Sequence, residues 1–296
     1  MENKSMTALI SCFVRAYHSN YEYRIFNDHL ASKVLTREEY KNISLNMSEG
    51  IKFFNFNFKG TREEGLRWII DNQLSPSVLG RSIYTEKMLE NAIEIGTTQY
   101  LIFASGYDTS AYKNDLSKKI SVFEIDRKEM IEDKINRIKR ANLDFADISY
   151  IKCDFNKEGW INELINSSYD KNKVSFCSLL GISYYLTREK FKDLLNNIAK
   201  IISDGSSIVF DYPTFEESKE CKINKELAKN VDENMKSKYN IDDIIDILSD
   251  CGLLLYEHLD DIEMTKQYFD SYNSINPSNK IMAPKGVNYC LAVKKH

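Results

Sequence analysis

The chain has 296 residues, of which 43% are hydrophobic and 28% are charged, as is typical of a globular protein with a sizeable core. Its net charge of −4 disfavours nucleic acid as a partner, and the absence of a long apolar run disfavours a membrane. The 6 cysteines form no C-x-x-C pair and the 4 histidines are scattered, so we predict reduced thiols, a cytoplasmic protein and no metal site.

Residues 1–96 are predicted to form a helical cap that belongs to the same domain as the rest of the chain. The segments Ala8 to Tyr17 and Leu30 to Tyr40 are predicted to be helical although their periodicity is weak, whereas Ile51 to Phe58 fits either an edge strand or a loop that lines a pocket. A capping box begins a helix after Thr61 that is predicted to end at Pro76, and Thr85 is a candidate N-cap of the next helix. The first clear strand comes only after this helical layer.

From residue 97 to residue 296, short apolar runs alternate with amphipathic segments, which predicts parallel strands connected by helices. The predicted strands cover residues 99–104, 120–125, 148–153, 174–180, 207–210, 253–256 and 287–293. The last two have no predicted helix between them, which favours an antiparallel addition at one edge. We therefore predict a three-layer, doubly wound, Rossmann-like α/β fold with a seven-stranded, mostly parallel sheet. A polar segment near residues 215–240 is predicted to be an exposed lid.

Polar residues follow several predicted strands at the point where each strand ends. They are Ala104-Ser105-Gly106, Asp126, Asp154 and Asp211. Taken alone, each acid is more often a helix N-cap or a turn residue. Because ligands of an open parallel sheet lie outside the carboxyl ends of its strands, we expect these side chains to meet in one crevice.

The turn after the first strand distinguishes between classes of nucleotide cofactor. A dinucleotide site requires G-x-G-x-x-G, whereas only Gly106 is present here, followed by the acidic Asp108. A negative charge at this turn repels pyrophosphate, so an NAD(P) oxidoreductase rests on fold analogy alone. S-adenosylmethionine carries a sulfonium and an ammonium but no phosphate, so an acidic rim attracts it. Asp126, about twenty residues further on, suits the hydroxyls of a ribose.

Short motifs follow one another along the chain in a characteristic order. They are Ile25–Ala31 (IFNDHLA), Leu79–Ser82 (LGRS), Ala104–Tyr112 (ASGYDTSAY), Phe123–Asp126 (FEID) with Lys134 after it, Asp154–Phe155 (DF) and Tyr184–Thr187 (YYLT). In this order and spacing they resemble the F-x-D-P-L-A, G-R-T, G-A-G-x-D-T-R-A-Y, F-E-V-D, D-L and Y-L-T motifs of the leucine carboxyl methyltransferase family. That family consists of class I S-adenosylmethionine-dependent methyltransferases and includes bacterial members linked to polyketide O-methylation.

The resemblance implies S-adenosyl-L-methionine as the cofactor and gives a role to several side chains. Arg81 would pair with the carboxylate of the cofactor's methionine portion, and Arg15 would lie close to the same carboxylate. Asp126 would accept hydrogen bonds from the ribose hydroxyls. Asp154 would accept one from the adenine amino group, and Phe155 would supply a backbone N–H and apolar cover.

Two positions depart from the family's pattern. The turn Ala104-Ser105-Gly106 would pass beneath the methionine portion of the cofactor, but it begins with alanine where the family has glycine. Leu180 stands where the family has an acid that contacts the cofactor's ammonium, and loss of such a charge-assisted hydrogen bond costs about 1.5–3 kcal/mol. These departures keep a second hypothesis open, a catalytically inactive S-adenosylmethionine-binding sensor or partner protein.

We predict an O-methyltransferase that acts on a carboxylate or a hydroxyl of a small molecule. A carboxylate is ionised at neutral pH and needs no general base, whereas a hydroxyl would need one, such as His18 or Asp211. Tyr17, Tyr184 and Asp211 are the candidate acceptor-binding residues. The aromatic segment near residues 260–286 would form the acceptor side of the site.

Overall fold

The centre of the molecule is a seven-stranded β-sheet. The structure, a computed structural model, describes residues 5–113, 116–144, 147–157, 159–216, 218–230 and 233–295. The strands are β1 Gln99–Phe103, β2 Ser121–Asp126, β3 Ile148–Lys152, β4 Ser175–Leu179, β5 Ser207–Pro213, β6 Leu253–Leu259 and β7 Val287–Lys294. Their order in the sheet is β3-β2-β1-β4-β5-β7-β6. β7 pairs antiparallel with both of its neighbours, and the other neighbouring strands pair in parallel.

Helices cover both faces of this sheet and make up most of the N-terminal part of the chain. They are α1 Met6–His18, α2 Ala31–Val34, α3 Arg37–Glu49, α4 Ile51–Phe54, α5 Arg62–Ile69, α6 Ser75–Glu94, α7 Leu116–Lys119, α8 Lys128–Arg140, α9 Ile161–Ile165, α10 Arg188–Ile201, α11 Lys219–Lys229, α12 Ile241–Asp250, α13 Asp261–Met264 and α14 Asp270–Ile275. Single π-helical turns join α5 to α6 and α13 to α14. Within the described ranges, no helix is both long and apolar enough to span a membrane.

Alternating side chains of the central strands create the three layers of the fold. In β1, Leu101 and Phe103 belong to the apolar cluster that includes α10 and α12. Tyr100 and Ile102 belong to the opposite cluster, which includes Leu89 of α6. Because successive side chains of a strand point to opposite faces, helices bury both faces of β1. The predicted doubly wound α/β fold class is confirmed.

The N-terminal helices share a third apolar cluster with the sheet part of the chain. This cluster joins Phe13 of α1 and Ile69 of α5 to Tyr107, which follows β1, and to Ile138 of α8. Burial of such side chains is the main favourable term in packing one layer against another. The two parts are therefore packed together, and a boundary at residue 96 stays a prediction.

The last two strands lie together at one edge of the sheet, and β7 is antiparallel to both of its neighbours, as predicted. β7 is inserted between β5 and β6, so β6 forms the edge itself. The connection between these two strands differs from the prediction. α13, a π-helical turn and α14 lie between these strands, where the sequence predicts no helix. The π-helical turn at Thr265–Phe269 shifts the helical period, and this shift hides the pattern of apolar residues.

Several local boundaries also differ from the prediction. β5 continues beyond Asp211, so this acid lies within the strand and not after it. Ile51–Phe54 is the short helix α4 and not an edge strand. Thr85 lies inside α6 and does not begin a helix. Pro76 lies in the first turn of α6, where backbone N–H groups have no partner within the helix, so proline loses no hydrogen bond there. As a result, the middle of a long helix carries Arg81.

Candidate functional site

The turn after β1 has an uncommon backbone conformation. Ala104 has a φ of 52° and Gly106 a φ of 46°, and both angles lie in the left-handed region that favours glycine. Between them, Ser105 is 4% exposed, and its hydroxyl has no hydrogen-bond partner among the described residues. A buried hydroxyl without a partner costs free energy, so this turn is suited to a ligand that offers a polar group.

Replacement of Ala104 by glycine is expected to stabilise the fold. At a φ of 52°, the Cβ of alanine crowds the following carbonyl oxygen, and glycine has no such contact. We expect the free energy of unfolding, measured by urea denaturation, to rise by about 0.5–1 kcal/mol. Ala141, with a φ of −74°, is the matched control, because glycine there should lower stability. Equal losses in both variants would contradict the prediction.

Asp126, at the end of β2, is hydrogen-bonded to this turn. Its Oδ2 accepts from the Gly106 N–H at 2.8 Å, and its Oδ1 accepts from the Arg127 N–H at 2.7 Å. Burial raises the pKa of Asp126 above its ordinary value, although these N–H donors act in the opposite direction. A carboxylate has about four acceptor positions, so both oxygens can still accept from the hydroxyls of a ligand.

Asp154 and Phe155 follow β3 at the same edge of the sheet. Asp154 is half-buried, and its Oδ1 accepts hydrogen bonds from the N–H and the side-chain amide of Asn156, both at 3.0 Å. Phe155 packs edge-on against Trp160, with ring centroids 5.0 Å apart, and lies 6.1 Å from the ring of Phe103. Both residues therefore lie at the carboxyl edge of the sheet, two strands away from the turn after β1.

Arg81 forms an ion pair with Asp211 of β5. The distance between Nη2 and Oδ2 is 3.3 Å, and the Asp211 side chain is fully buried, whereas 20% of the Arg81 side chain is exposed. Asp211 also accepts hydrogen bonds from the Gly181 N–H at 2.7 Å and the Tyr184 hydroxyl at 2.9 Å. Gly181 has a φ of 66°, which favours glycine, and a Cβ at this position would displace Nη1 of Arg81. We call Arg81, Tyr184 and Asp211 the Arg81 cluster.

Arg15 connects α1 to the segment that follows β1. Its Nε donates a hydrogen bond to Oδ2 of Asp28 at 2.8 Å, and its Nη2 donates to the Tyr107 carbonyl at 2.7 Å. Asp28 is 1% exposed and also accepts from the Thr109 hydroxyl at 2.6 Å. The predicted basic residue therefore has a carboxylate of the protein as its partner. Its place beside the cofactor's carboxylate stays a prediction.

A cavity of about 270 Å³ lies between α6 and the segment that follows β1. Leu180, directly after β4, lines this cavity together with Tyr100 and Ser82. Carboxylates outnumber cations in its lining. The carboxylates are those of Asp28, Glu86, Glu90, Glu94 and Asp108, and the cations are Arg15, Lys113 and Lys119. We call it the acidic cavity, and its charge favours a cationic group.

A second cavity, of about 200 Å³, lies between the end of β5 and α11. Tyr184 and Arg81 line it on the inner side, and Pro284 and Gly286 come from the predicted acceptor-side segment. Its charged lining residues are Arg81, Lys222, Lys225, Lys236, Lys238 and the acid Glu216. We call it the lid cavity, and its excess of cations favours an anionic occupant.

Tyr17 and His18, at the end of α1, line neither cavity. Tyr17 packs against Phe13 and Tyr21, with ring centroids 5.9 and 5.8 Å away. His18 is fully buried, and its Nε2 accepts a hydrogen bond from the Ile25 N–H at 2.9 Å. A general base must reach the proton that it removes. The structure therefore does not support His18 as the base, and contact between Tyr17 and an acceptor stays a prediction.

His18 is expected to contribute to the loss of stability in acid. Burial lowers the pKa of His18 from 6.5 to about 4, so the unfolded chain binds a proton in this pH range that the folded chain does not. The stability that this difference provides is complete above pH 6.5 and is lost as the pH falls towards 4. Urea titrations measure how far the free energy of unfolding falls between pH 7 and pH 4. In His18→Gln this fall should be smaller than in the unmodified chain by about 3 kcal/mol.

The matched control is His29→Gln, which removes an exposed imidazole in place of a buried one. Identical pH profiles for His18→Gln and the unmodified chain would contradict the prediction.

Comparison with known proteins identifies the family. The model of the leucine carboxyl methyltransferase family matches residues 8–199. The chain is also 36% identical over 304 aligned positions to the Bacillus subtilis (strain 168) protein named "Putative S-adenosyl-L-methionine-dependent methyltransferase YktD", and this match covers 98% of both proteins. The chain belongs to the leucine carboxyl methyltransferase family.

Distant solved structures share the fold of this leucine carboxyl methyltransferase family member. A DUF574 family protein from Streptomyces avermitilis MA-4680 aligns over 96% of this chain and 97% of its own, with a TM-score of 0.63 and 13% identity. A "putative methyltransferase" from Thermobifida fusca YX aligns over 99% of this chain and 96% of its own, with a TM-score of 0.57 and 12% identity. At such low identity the likeness concerns the fold alone.

Membership in the leucine carboxyl methyltransferase family confirms the predicted enzyme class, an S-adenosylmethionine-dependent methyltransferase, and with it the predicted cofactor. It sets aside the NAD(P) oxidoreductase hypothesis. Ala104 stands where the family's motif has glycine, and its backbone adopts the left-handed conformation that favours glycine.

Sequence reasoning misses three features of this site. Asp28 lies inside the motif Ile25–Ala31, but its buried partner Arg15 lies outside that motif. Gly181 directly follows Leu180, yet its contact with Arg81 depends on the packing of α6 against the sheet. The lysines of the lid cavity lie in the predicted lid, and their number there is the signal from which an anion-binding cavity could be inferred.

Proposed function

We propose that this methyltransferase transfers a methyl group to an oxygen atom of a small molecule, and that this oxygen belongs to a carboxylate. The lid cavity carries the proposal, because five cationic side chains and one acidic side chain line it. Its volume of about 200 Å³ is below the roughly 300–1,000 Å³ of pockets for drug-sized ligands, which favours a small acceptor. A hydroxyl acceptor is the alternative.

The residues at the carboxyl ends of β1, β2 and β3 are suited to hold the adenosine and methionine portions of the cofactor. Asp126 would accept from the ribose hydroxyls, since its oxygens have acceptor capacity beyond their two backbone donors. Asp154 and Phe155 would hold the adenine. Ser105, whose buried hydroxyl has no partner among the described residues, and Gly106 would lie along the methionine portion.

The acidic cavity offsets the replacement of the family's acid by Leu180. Five carboxylates and three cations line the same cavity as Leu180, so the net negative charge there still favours an ammonium or a sulfonium. Arg81 lines the lid cavity, and the next residue of α6, Ser82, lines the acidic cavity. A guanidinium has five N–H donors, so Arg81 can hold Asp211 and the cofactor's carboxylate together.

Methyl transfer to a carboxylate makes few chemical demands on this chain. S-adenosylmethionine supplies a methyl group on a sulfonium, and the electron pair of the broken C–S bond stays on sulfur while the acceptor oxygen takes the methyl group. A carboxylate is ionised at neutral pH, so no proton has to be removed. Asp211, the other candidate base, already accepts from Gly181 and Tyr184 and pairs with Arg81, so we assign it to positioning of Arg81. Catalysis would then come from positioning and exclusion of water.

Methyl transfer can be followed with S-adenosylmethionine that carries a radiolabelled methyl group and a panel of small carboxylic acids and matched alcohols. We expect the label in a methyl ester, from which mild alkali releases methanol. Label that resists alkali would identify a methyl ether and overturn the carboxylate assignment. Calorimetric binding of S-adenosylmethionine without transfer to any acceptor would instead support the catalytically inactive binding protein.

A further inference from the structure

Asp108, which follows β1, has a free carboxylate oxygen at the acidic cavity. It is half-buried and lines this cavity, and its Oδ1 accepts hydrogen bonds from the N–H of Ser110 at 2.7 Å and from the Ser110 hydroxyl. Among the residues that the structure describes, none donates to Oδ2 of Asp108 or forms an ion pair with it. Ser110 therefore fixes the orientation of this carboxylate and leaves one oxygen for a ligand.

Leu180, which stands where the family has an acid, lies beside the start of the turn that leads to Asp108. β1 and β4 are neighbouring parallel strands, and Phe103 pairs with Leu179. The next residues, Ala104 and Leu180, therefore lie side by side at the carboxyl edge of the sheet. Because Asp108 comes four residues after Ala104 and lines the same cavity as Leu180, it belongs to this end of the cavity.

Two other carboxylates of the acidic cavity already hold a cation. Oδ2 of Asp28 lies 2.8 Å from Nε of Arg15, and Oε1 of Glu86 lies 3.4 Å from Nζ of Lys113. The Asp28 and Lys113 side chains are 1% and 8% exposed, so salt screens these pairs little. Asp108 is therefore the one carboxylate among these five groups that no cation balances.

Glu90 and Glu94 also line the acidic cavity, but they are remote from Leu180. Both are exposed and belong to the last two turns of α6. Arg81 of the same helix lies against Gly181, which directly follows Leu180. At a rise of about 1.5 Å per residue, Glu90 lies about 13 Å and Glu94 about 20 Å along the helix from Arg81. Neither acid can replace the one that is missing at position 180.

We propose that Asp108 binds the ammonium of the cofactor's methionine portion and thereby replaces the acid that Leu180 lacks. An α-amino acid carries its ammonium and its carboxylate on one carbon atom, so the ammonium would lie next to the carboxylate that Arg81 is proposed to bind. This inference rests on the cofactor placement of the proposed function and adds a residue to it. A hydrogen bond from an ammonium to Oδ2 joins two charged groups, so Asp108 selects ligands that carry an ammonium.

Calorimetric titration of the full chain with three nucleosides measures this selectivity. They are S-adenosylhomocysteine, its deamino analogue, in which hydrogen replaces the ammonium, and its decarboxy analogue, which keeps the ammonium and lacks the carboxylate. None carries a sulfonium, so the ammonium is the cation that is tested. We expect S-adenosylhomocysteine to bind at least about tenfold more tightly than its deamino analogue, because the latter loses a charge-assisted hydrogen bond. Equal affinity of the two would overturn the inference.

Asp108→Asn keeps an acceptor oxygen for Ser110 and removes the charge. It should weaken S-adenosylhomocysteine and the decarboxy analogue at least about tenfold and leave the affinity for the deamino analogue within about twofold. The matched control is Glu94→Gln, which removes an exposed carboxylate from the lining of the same cavity and should leave all three affinities within about twofold. Equal weakening of all three nucleosides by Asp108→Asn would overturn the inference, because it would indicate a structural role, and so would unchanged affinity for S-adenosylhomocysteine.

A double variant tests the place of the ammonium. Leu180→Glu supplies the family's acid, and in combination with Asp108→Asn it should restore the preference for S-adenosylhomocysteine over the deamino analogue. A double variant with no more preference than Asp108→Asn alone would overturn the placement of the ammonium beside Leu180.

Failure of the proposed function gives a different result. Loss of the ammonium preference in Asp108→Asn, together with an unmodified chain that forms no methyl ester, would overturn the O-methyltransferase assignment and leave the role of Asp108 in place. Methyl ester formation by the unmodified chain, together with unchanged S-adenosylhomocysteine affinity in Asp108→Asn, would overturn the role of Asp108 and leave the O-methyltransferase assignment in place.

Discussion

Arg81→Ala is expected to weaken S-adenosylmethionine binding at least tenfold. If the guanidinium holds the cofactor's carboxylate, its loss removes a charge-assisted pair worth about 1.5–3 kcal/mol. The variant should also lose stability, because Asp211 stays fully buried without its cation. Calorimetry with S-adenosylmethionine, at a temperature where circular dichroism shows the variant to be folded, measures the first effect. Urea denaturation measures the second.

A double variant separates the effect on binding from the effect on folding. Arg81→Ala combined with Asp211→Asn removes both charges, so stability should recover while cofactor affinity stays low. Arg81→Lys keeps the charge but not the planar fork, and we expect affinity between those of the alanine variant and the unmodified chain. Unchanged cofactor affinity in Arg81→Ala would remove this residue from the cofactor site, and a raised KM for the acceptor would then assign it to the lid cavity alone.

Lys134→Met is expected to cause a large loss of stability. Nζ of Lys134 lies 2.8 Å from Oε2 of Glu124 on β2, and both side chains are 0% exposed. Removal of one partner of a buried ion pair leaves an uncompensated charge and costs about 3–5 kcal/mol. Urea denaturation at pH 8 measures this loss. A loss below about 1 kcal/mol would show that water reaches the pair.

The loss caused by Lys134→Met should depend on pH. Burial raises the pKa of Glu124 from 4.5 to about 7, against the opposing effect of Lys134. Because the folded chain then holds this proton more tightly than the unfolded chain, the contribution of Glu124 to stability is greatest below pH 4.5 and is lost as the pH rises through about 7. The loss should therefore be smaller at pH 5 than at pH 8.

The matched control for this pair is the double variant Glu124→Gln with Lys134→Met. It removes both charges and should be more stable at pH 8 than Lys134→Met alone. Equal stability of the single and double variants would contradict the proposed cost of the isolated carboxylate.

The central sheet is predictable from the sequence because its strands are short apolar runs that are buried on both faces. β1 is an example, since all five of its residues are buried and a turn follows directly. The position of β7 is not predictable in this way. Its pairing with β5, such as that of Asp211 with Tyr289, depends on contacts between residues far apart in the chain, and no local pattern carries that information.

Prediction from the sequence has the same limit at the candidate site. Asp126 and Asp154 are predictable because the topology of a parallel sheet places the residues after its strands at one edge. The ion-pair partners of Arg15 and Arg81 are not predictable, because nothing in the spacing of Arg81 and Asp211, for example, indicates that they meet. Ala104 adopts the left-handed backbone conformation despite its side chain, and no local sequence pattern indicates this.

S-adenosylmethionine is expected to lie across the carboxyl ends of β1, β2 and β3. A crystal structure of the chain with S-adenosylhomocysteine tests this most directly. We expect the ribose hydroxyls within hydrogen-bond distance of Asp126, and the adenine beside Asp154 and Phe155. Adenosine bound elsewhere, with Asp126 keeping only the N–H groups of Gly106 and Arg127 as donors, would contradict it.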